Sequence, residues 1–339
     1  MSPGSRPEPL QAAQASQAAQ PSGLQRATAF APASIGNVAI GFDILGLSVD
    51  ALGDRVTVSR RSEPGVAITA IRGVAEDLPL EAERNTAGRA LLAMLEELAH
   101  GAGGLNPGFG FEMEIEKGIP LGSGLGGSAA SAVGAVVAAN ALLPQPYSKL
   151  ELLKFAMQGE KVASGSLHVD NIAPSLFGGL VLTVGIDHPR VKQIPVPPGI
   201  KSVIVHPHMF LSTKQARGIL KRTVELSDFV WQTANLAGFI SGCYTNDLDM
   251  IRASFQDVVI EPQRQALIPG FNAVRQAAMD AGALGCSISG AGPTMFAWAQ
   301  AEHAEAVLAT MRREFGRQSM AIDEWIVEAQ SVGAYLVDR

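Results

Sequence analysis

The sequence predicts an α+β protein of two domains, and three observations carry this prediction. Of the 339 residues, 47% are apolar, which is typical of a chain that buries a substantial core. Segments with the two-residue alternation of strands are interspersed with segments that have helical spacing. The prolines between Pro195 and Gly199 mark a junction between an N-terminal domain, 26–197, and a C-terminal domain, 198–339.

Residues 1–25 lack the pattern of a folded segment. They are rich in Ala, Gln, Pro and Ser, with Leu10 as a large apolar side chain. They contain neither the continuous apolar stretch of a signal peptide nor the several arginines of a transit peptide. We expect a disordered extension.

The elements of the N-terminal domain follow from periodicity. An apolar stretch at Ala27–Ala31 and the alternation around Val56 and Val58 predict strands. Asn85 is positioned to cap a helix whose apolar face carries Leu91, Leu92, Leu95 and Leu98. The cleanest alternation, Phe109–Glu116, predicts a strand with one wet face.

The middle of the chain predicts a buried helix. From Ser128 to Leu143 almost every residue is Ala, Val, Asn or Leu, and a helix that is apolar on all sides belongs inside a domain. Ser148–Ser164 predicts another helix, and Leu176–Val184 a strand interrupted by two glycines.

Helices and strands also alternate in the C-terminal domain. The predicted strands are Val203–Val205, Cys286–Ile288, Met295–Ala299 and Tyr335–Val337. The predicted helices are Lys214–Leu220, Asp228–Ser241, Phe271–Ala281 and Glu302–Phe315.

Charge and composition exclude several classes of function. A formal net charge of −6 and the lack of a Lys/Arg cluster argue against a nucleic-acid partner. No apolar run reaches the roughly 20 residues of a membrane span, so no membrane partner is expected. The two cysteines, Cys243 and Cys286, have no metal-ligand spacing and no disulfide framework. This usage fits a reducing cytosol, so we expect a cytoplasmic protein.

The segment Pro120–Ser131 follows a predicted strand and opens a predicted helix. Backbone N–H groups converge at such a helix start, which makes a site for an anionic phosphate. Its glycines permit positive φ and close approach of a ligand. Because the segment contains no Lys or Arg, phosphate charge would be met by backbone N–H groups and a divalent metal. The alternative is that the glycines merely form a tight turn.

Two further segments give this loop a context. The loop is neither a Walker A sequence nor a proper dinucleotide fingerprint. With Pro32–Leu47 before it and Gly285–Thr294 after it, the loop resembles the second of three signature motifs of the GHMP kinases. The resemblance runs from Ala27 to the C-terminus. It implies a two-domain GHMP kinase fold, with a mixed sheet and central buried helix followed by a ferredoxin-like α/β sandwich.

Within that superfamily the sequence resembles the homoserine kinases. The matching blocks are Gly41–Gly46, Gly165–Gly179, Ser212–Arg217 and Glu261–Arg264. The resemblance implies transfer of phosphate from ATP to the side-chain hydroxyl of L-homoserine, giving O-phospho-L-homoserine in threonine biosynthesis. Two alternatives stay open: another GHMP kinase of the mevalonate type, and a non-catalytic ligand-binding protein of this fold. The assembly state is also open, with a homodimer as one option.

The resemblance assigns the phosphate loop to ATP and a nearby pair of residues to Mg²⁺. The ATP-binding residues would be Pro120, Leu121, Gly122, Ser123, Gly124, Leu125, Gly126, Gly127, Ser128, Ala129 and Ala130. A hydroxyl at Ser128 and a carboxylate at Glu160 suit Mg²⁺, which retains waters and binds substrate phosphates as well. The alternative for Glu160 is a solvated helix face beside Lys161. In place of the family's usual first Ser, this loop has Gly127.

Homoserine is a zwitterion, so its pocket needs both signs of charge. Arg217 and Arg264 can bind a carboxylate, and Asp43 can bind the ammonium group. Asn37 and Thr213 would add neutral hydrogen bonds. For the charged residues the alternative is an ordinary surface ion pair.

The resemblance places Asn171 against the attacking hydroxyl, with Asp170 beside it. An amide cannot accept a proton at neutral pH, so Asp170 is the adjacent candidate for a base. Catalysis by positioning and charge stabilisation alone is the alternative. His168 could orient the substrate or have a structural role.

Overall fold

The computed structural model describes residues 24–101, 108–164, 169–185 and 187–337. Two sheets organise these residues, one of seven strands and one of four. Residues 1–23 of the expected extension and the candidate catalytic residue His168 lie outside the described residues.

The larger sheet has the strand order β11-β1-β2-β4-β3, in which β11 is Tyr335–Val337, and β5 pairs with β2 and β6 with β5. Its strands from the first part of the chain are β1 Arg26–Gly36, β2 Leu45–Arg61, β3 Gly65–Gly73, β4 Gly110–Lys117, β5 Leu180–Val184 and β6 Arg190–Ile194. The β3–β4 pair is parallel and the other pairs are antiparallel, which confirms the mixed sheet. The register of β1 against β2 shifts after Pro32, where proline has no N–H for the ladder.

Four helices accompany this sheet: α1 Thr86–Gly101, α2 Gly127–Ala141, α3 Lys149–Ser164 and α4 Ile172–Phe177. The central helix α2 packs on β1 and β2 on one side and on α1 and α3 on the other. Its residues from Ala129 to Val136 are buried, which confirms the buried helix. The cap at Asn85 is also confirmed, because its Oδ1 accepts hydrogen bonds from the N–H groups of Ala87 and Gly88 at 3.0 and 3.3 Å.

The predicted strand Leu176–Val184 is partly wrong. Residues Ile172–Phe177 form α4, and the strand begins only at Leu180, after Gly178 and Gly179 with φ of 81° and 68°. A short, wholly buried helix and a buried strand have the same apolar composition, so periodicity does not separate them. Pro174 lies in the first helical turn, where its missing N–H costs no hydrogen bond.

The smaller sheet contains β7 Ile200–Pro207, β8 Gly285–Ile288, β9 Met295–Gln300 and β10 Ile322–Glu328. Its order is β10-β7-β9-β8 with antiparallel neighbours, and α9 Phe271–Asp280 and α10 Ala301–Arg317 are its crossover helices. This is the ferredoxin-like sandwich that was expected. The connection from β7 to α9 also contains α5 Thr213–Gly218, α6 Leu226–Thr245, α7 Leu248–Ser254 and α8 Glu261–Arg264.

Successive side chains of β9 point alternately into two hydrophobic cores. Met295, Ala297 and Ala299 belong to the core beneath α9 and α10. Phe296 and Trp298 point the other way, into the core shared with the N-terminal half. The sheet is therefore buried on both faces.

The last strand, β11 Tyr335–Val337, returns to the first sheet and pairs with β1, with Thr28 opposite Val337. The chain thus passes from the first sheet to the second and back. Among the described helices, none combines the length and apolar character needed to cross a bilayer.

Candidate active site

A cleft lies where the glycine loop faces the segments around Phe42, Arg217 and Arg264. Predicted site residues that line it are Asn37, Asp43, Pro120, Leu121, Gly122, Ser123, Gly124, Gly126, Gly127, Ser128, Glu160, Asp170, Asn171, Thr213, Arg217 and Arg264. By contrast, the predicted ATP-binding residues Leu125, Ala129 and Ala130 are fully buried in the core and do not line the cleft.

The glycine loop winds tightly between β4 and α2. Gly122, Gly124 and Gly126 have φ of 64°, 80° and 70°, so the predicted positive φ is confirmed at these three positions. A Cβ on Gly126 would lie 2.2 Å from the Ser34 hydroxyl oxygen. A Cβ on Gly124 would lie 2.6 Å from the Ser289 carbonyl oxygen. The loop is therefore held against both β1 and the turn between β8 and β9.

Two charged residues that sequence reasoning missed lie beneath the loop. Lys117, the last residue of β4, forms a buried ion pair with Asp54 of β2. The Lys117 ammonium also donates to the Gly127 carbonyl at 2.8 Å and to the Ser131 hydroxyl at 2.9 Å. The strand before the loop thus places a cation beneath the loop, where Asp54 pairs with it and where it does not line the cleft.

At the start of α2, the Ser128 hydroxyl donates to the Glu160 carboxylate at 2.9 Å. Glu160 lies on α3 and is 9% exposed, so it does not face bulk solvent as a simple surface residue would. A hydroxyl and a carboxylate are oxygen donors of the type that Mg²⁺ prefers. The described residues contain no group of three or more His, Cys, Asp or Glu side chains arranged as a metal site.

The segment after β1 has an unusual backbone. Asn37, Val38 and Ala39 have φ of 67°, 44° and 61°, and Asp43 has φ of 64°. Left-handed conformations are costly for residues other than glycine, above all for a β-branched valine. The Asn37 side chain stabilises the turn, since its Oδ1 accepts from the Asp43 N–H at 3.0 Å and its Nδ2 donates to the Gly290 carbonyl at 2.9 Å.

Asp43 and Arg217 form a bidentate ion pair across the cleft. The two N···O distances are 2.7 and 3.1 Å, and each side chain is about one third exposed. Thr213 is the first residue of α5, the helix that carries Arg217. The ion pair that was the alternative to substrate binding is therefore present, but inside the cleft.

Arg264 is buried at 3% exposure. Its guanidinium donates to the carbonyl oxygens of Ala216 at 3.2 Å and Gly290 at 3.0 Å. Burial lowers its pKa, as does the nearby charge of Arg217. The centroid of the Phe42 ring is 5.1 Å from the guanidinium carbon of Arg217 and 5.2 Å from that of Arg264, so the ring makes a cation–π contact with each.

Asp170 and Asn171 precede α4 at the floor of the cleft. Asp170 is 4% exposed, and the Asn171 Oδ1 accepts a hydrogen bond from the Ser34 hydroxyl at 2.9 Å. A Cβ on Gly36 would lie 2.5 Å from an Asp170 carboxylate oxygen and 2.7 Å from Asn171 Nδ2. Glycine at position 36 therefore lets these polar groups pack against β1.

Comparison with known proteins agrees with this architecture. The family model described as GHMP kinases N terminal domain matches residues 85–179, and GHMP kinases C terminal matches 239–318. A mevalonate kinase structure from L. major, in complex with R-mevalonate, has a TM-score of 0.64 at 16% identity over 93% of this chain and 98% of that chain, which shows the fold alone. The chain belongs to the GHMP kinases.

Proteins with higher sequence identity to this chain show to which group of the GHMP kinases it belongs. A homoserine kinase of Xylella fastidiosa is 50% identical over 313 residues, which are 92% of this chain and 94% of that protein. The crystal structure of a homoserine kinase from Cytophaga hutchinsonii has a TM-score of 0.87 at 42% identity, covering 93% of this chain and 98% of that chain. Among the GHMP kinases, the chain is therefore a member of the homoserine kinase family.

Proposed function

We propose that this protein transfers the γ-phosphoryl group of ATP to the side-chain hydroxyl of L-homoserine. The observation that carries the proposal is that one cleft combines the glycine loop at the start of α2 with a pair of arginines and an aspartate. The first set suits a nucleotide and the second suits a zwitterionic amino acid. Relatives named homoserine kinase support the choice of substrate.

The nucleotide half consists of the loop and the first turn of α2. The first N–H groups of an α-helix have no partner inside the helix, and the helix dipole favours negative charge there. The phosphates would bind along residues 122–128. Ser128 and Glu160 would hold Mg²⁺, which when bound neutralises phosphate charge during transfer.

The amino-acid half consists of Asp43, Arg217 and Arg264. In the structure Asp43 and Arg217 neutralise each other, and Arg264 adds a buried positive charge. A zwitterion fits this arrangement because its ammonium group can approach Asp43 while its carboxylate approaches the two arginines. Mevalonate has no ammonium group, so an aspartate at this position would oppose its binding.

The reaction forms a bond from the homoserine hydroxyl oxygen to the γ-phosphorus and breaks the bond to the bridging oxygen of ADP. The hydroxyl proton leaves during this exchange. Asn171, fixed by its hydrogen bond from Ser34, would orient the hydroxyl. Asp170 is the neighbouring carboxylate that could accept the proton. Phosphoryl transfer requires mainly alignment and charge stabilisation, which the residues of this cleft would supply.

The direct test is a coupled assay of ADP release with homoserine, threonine, mevalonate and galactose as acceptors, with and without Mg²⁺. We expect turnover with homoserine that depends on Mg²⁺. Turnover with mevalonate in place of homoserine would contradict the substrate assignment. ATP binding without turnover of any acceptor would favour a ligand-binding protein instead.

A further inference from the structure

The ion pair of Asp54 and Lys117 lies beneath the nucleotide half of the cleft and has no part in the reaction proposed above. Its side chains are 0% and 1% exposed, respectively. Removing two charges from water costs about as much as their attraction returns, so such a pair is weak evidence for a stabilising role. Its position suggests a different one.

The pair contacts both ends of the phosphate loop. At the entrance, Asp54 Oδ1 accepts hydrogen bonds from the N–H groups of Gly118 at 3.1 Å and Ile119 at 3.3 Å. At the exit, the Lys117 ammonium donates to the Gly127 carbonyl at 2.8 Å. Ser131, one turn further along α2, bridges the two by donating to Asp54 at 2.6 Å and accepting from Lys117 at 2.9 Å.

The contact to Gly127 has a direct consequence for the ligand side. The Gly127 carbonyl and the Ser128 N–H belong to one peptide unit at the first turn of α2. A charged donor on the carbonyl fixes the plane of that unit and polarises it, which strengthens its N–H as a hydrogen-bond donor. Gly127 and Ser128 both line the cleft, whereas Lys117 does not.

We infer that Lys117, held by Asp54, is a positioning residue that orients and polarises the Ser128 amide toward a nucleotide phosphate. The inference rests on the proposed function only in requiring that ATP bind at the loop. It does not depend on which alcohol accepts the phosphate. Wild-type protein that fails to bind ATP would therefore refute the proposed function, whereas the variants below test the inference.

The double variant Asp54→Asn/Lys117→Met isolates the contact. It keeps the net charge, the side-chain lengths and an acceptor oxygen for the Gly118 and Ile119 amides, and it removes the ammonium group from the Gly127 carbonyl. We expect the dissociation constant of ATP, measured by titration calorimetry, to rise about tenfold, on the scale of one charged hydrogen bond. The dissociation constant of adenosine, measured by displacement of a fluorescent ATP analogue, should not change because adenosine has no phosphate.

Lys149→Met is the matched control, since the Lys149 ammonium also donates to a main-chain carbonyl, that of Leu176 at 3.2 Å, away from the loop. This control should bind ATP like the wild type. A folded double variant with unchanged ATP affinity, or with equal losses for ATP and adenosine, would overturn the inference. If the double variant does not fold, Ser131→Ala carries the test, and unchanged ATP affinity in that variant would contradict it.

Discussion

Arg217 and Arg264 face the same part of the cleft but differ in burial, so their substitutions should have different effects. Changing either to alanine should raise KM for homoserine by an amount equivalent to ~1.5–3 kcal/mol, the range for a charged hydrogen bond, with little change in KM for ATP. Arg264→Ala should also lower the melting temperature, because the buried guanidinium bonds to the carbonyls of Ala216 and Gly290. Steady-state kinetics and thermal unfolding measure the two effects.

Arg312→Ala is the control for this pair, since Arg312 pairs with Glu324 on the surface of the C-terminal sandwich. It should leave both KM values unchanged. Equal increases in KM for ATP and for homoserine would place the two arginines in the fold or at the nucleotide.

The roles of Asp170 and Asn171 separate in a second comparison. We expect Asn171→Ala to reduce kcat more than Asp170→Asn, because Asn171 is anchored by Ser34 and its loss would release the hydroxyl from its near-attack position. The acidic limb of the pH–rate profile should persist in Asp170→Asn. A fall in kcat of more than about a hundredfold in folded Asp170→Asn, with loss of that limb, would identify Asp170 as a general base.

The burial of Lys117 and Asp54 could have been predicted from the sequence. Lys117 continues the inward phase of Phe111, Met113 and Ile115, and Asp54 continues that of Val56 and Val58. A charged residue in the buried phase of a strand implies a buried partner. The sequence pattern therefore indicates that Lys117 and Asp54 are buried and charged. It does not show that they pair with each other, because that depends on the pairing of β2 with β4 in the folded chain.

The Asn37–Asp43 turn could not have been read from the sequence. Valine strongly disfavours positive φ, yet Val38 adopts it because bonds from the Asn37 side chain to Asp43 and Gly290 determine the turn. Local propensity gives no indication of such a turn. The sequence identified the segment through its motif and not through its conformation.

At the scale of elements, the glycine loop offers the sharpest test. Gly126→Ala should weaken ATP binding and lower stability, because its Cβ would lie 2.2 Å from the Ser34 hydroxyl oxygen in a left-handed backbone. Gly199→Ala is a matched control with φ of 78° and no atom within 4 Å of its Cβ. It should cost about 1 kcal/mol of stability from the backbone conformation alone and leave KM for ATP unchanged.

Normal ATP binding by Gly126→Ala would show that the loop tolerates a side chain facing β1. The loop could then not be as closely packed as its contacts imply. Gly126→Val, with a branched Cβ, should be more severe than alanine in both measurements.

Most helices and strands were predictable because the positions of their apolar residues in the sequence are the positions that are buried in the structure. The β4 alternation and the uniformly apolar α2 are the clearest cases. By contrast, α4 was read as part of a strand, and β10 was not identified because all its residues before Glu328 are partly buried, which leaves no alternation. Sequence periodicity identifies elements with one clearly dry face, whereas α2 was identified from its uniformly apolar composition.

At the scale of the whole molecule, stability should depend on pH through Glu261. Burial raises the pKa of this carboxyl from its ordinary value of 4.5 to about 7, with a smaller contribution from Asp257, against the opposing effects of Ser287 and Arg275. The folded state therefore binds this proton more tightly than the unfolded state. The resulting stability is fully present below pH 4.5 and is lost as the pH rises through about 7.

Glu261→Gln keeps the side chain neutral at every pH. The variant should match the wild type near pH 4.5 and exceed it at pH 8 by about 3 kcal/mol, as followed by chemical denaturation at both values. Glu302→Gln, on the exposed first turn of α10, is the control and should not change how the free energy of unfolding depends on pH. Parallel pH dependence in Glu261→Gln and the wild type would contradict the assignment.

The pairing of β11 with β1 gives the molecule a nearly circular path. Residues 28 and 337 are cross-strand neighbours, so the first and last described strands meet at one place in the first sheet. The second sheet is consequently tethered at two points, through 195–199 and through the segment between β10 and β11. Two chain connections restrict the relative motion of the two sheets more than a single hinge would. We therefore expect the cleft to open and close by small displacements. The fold should also tolerate circular permutation: a short linker that joins β11 to β1 would allow new termini to be placed in another loop.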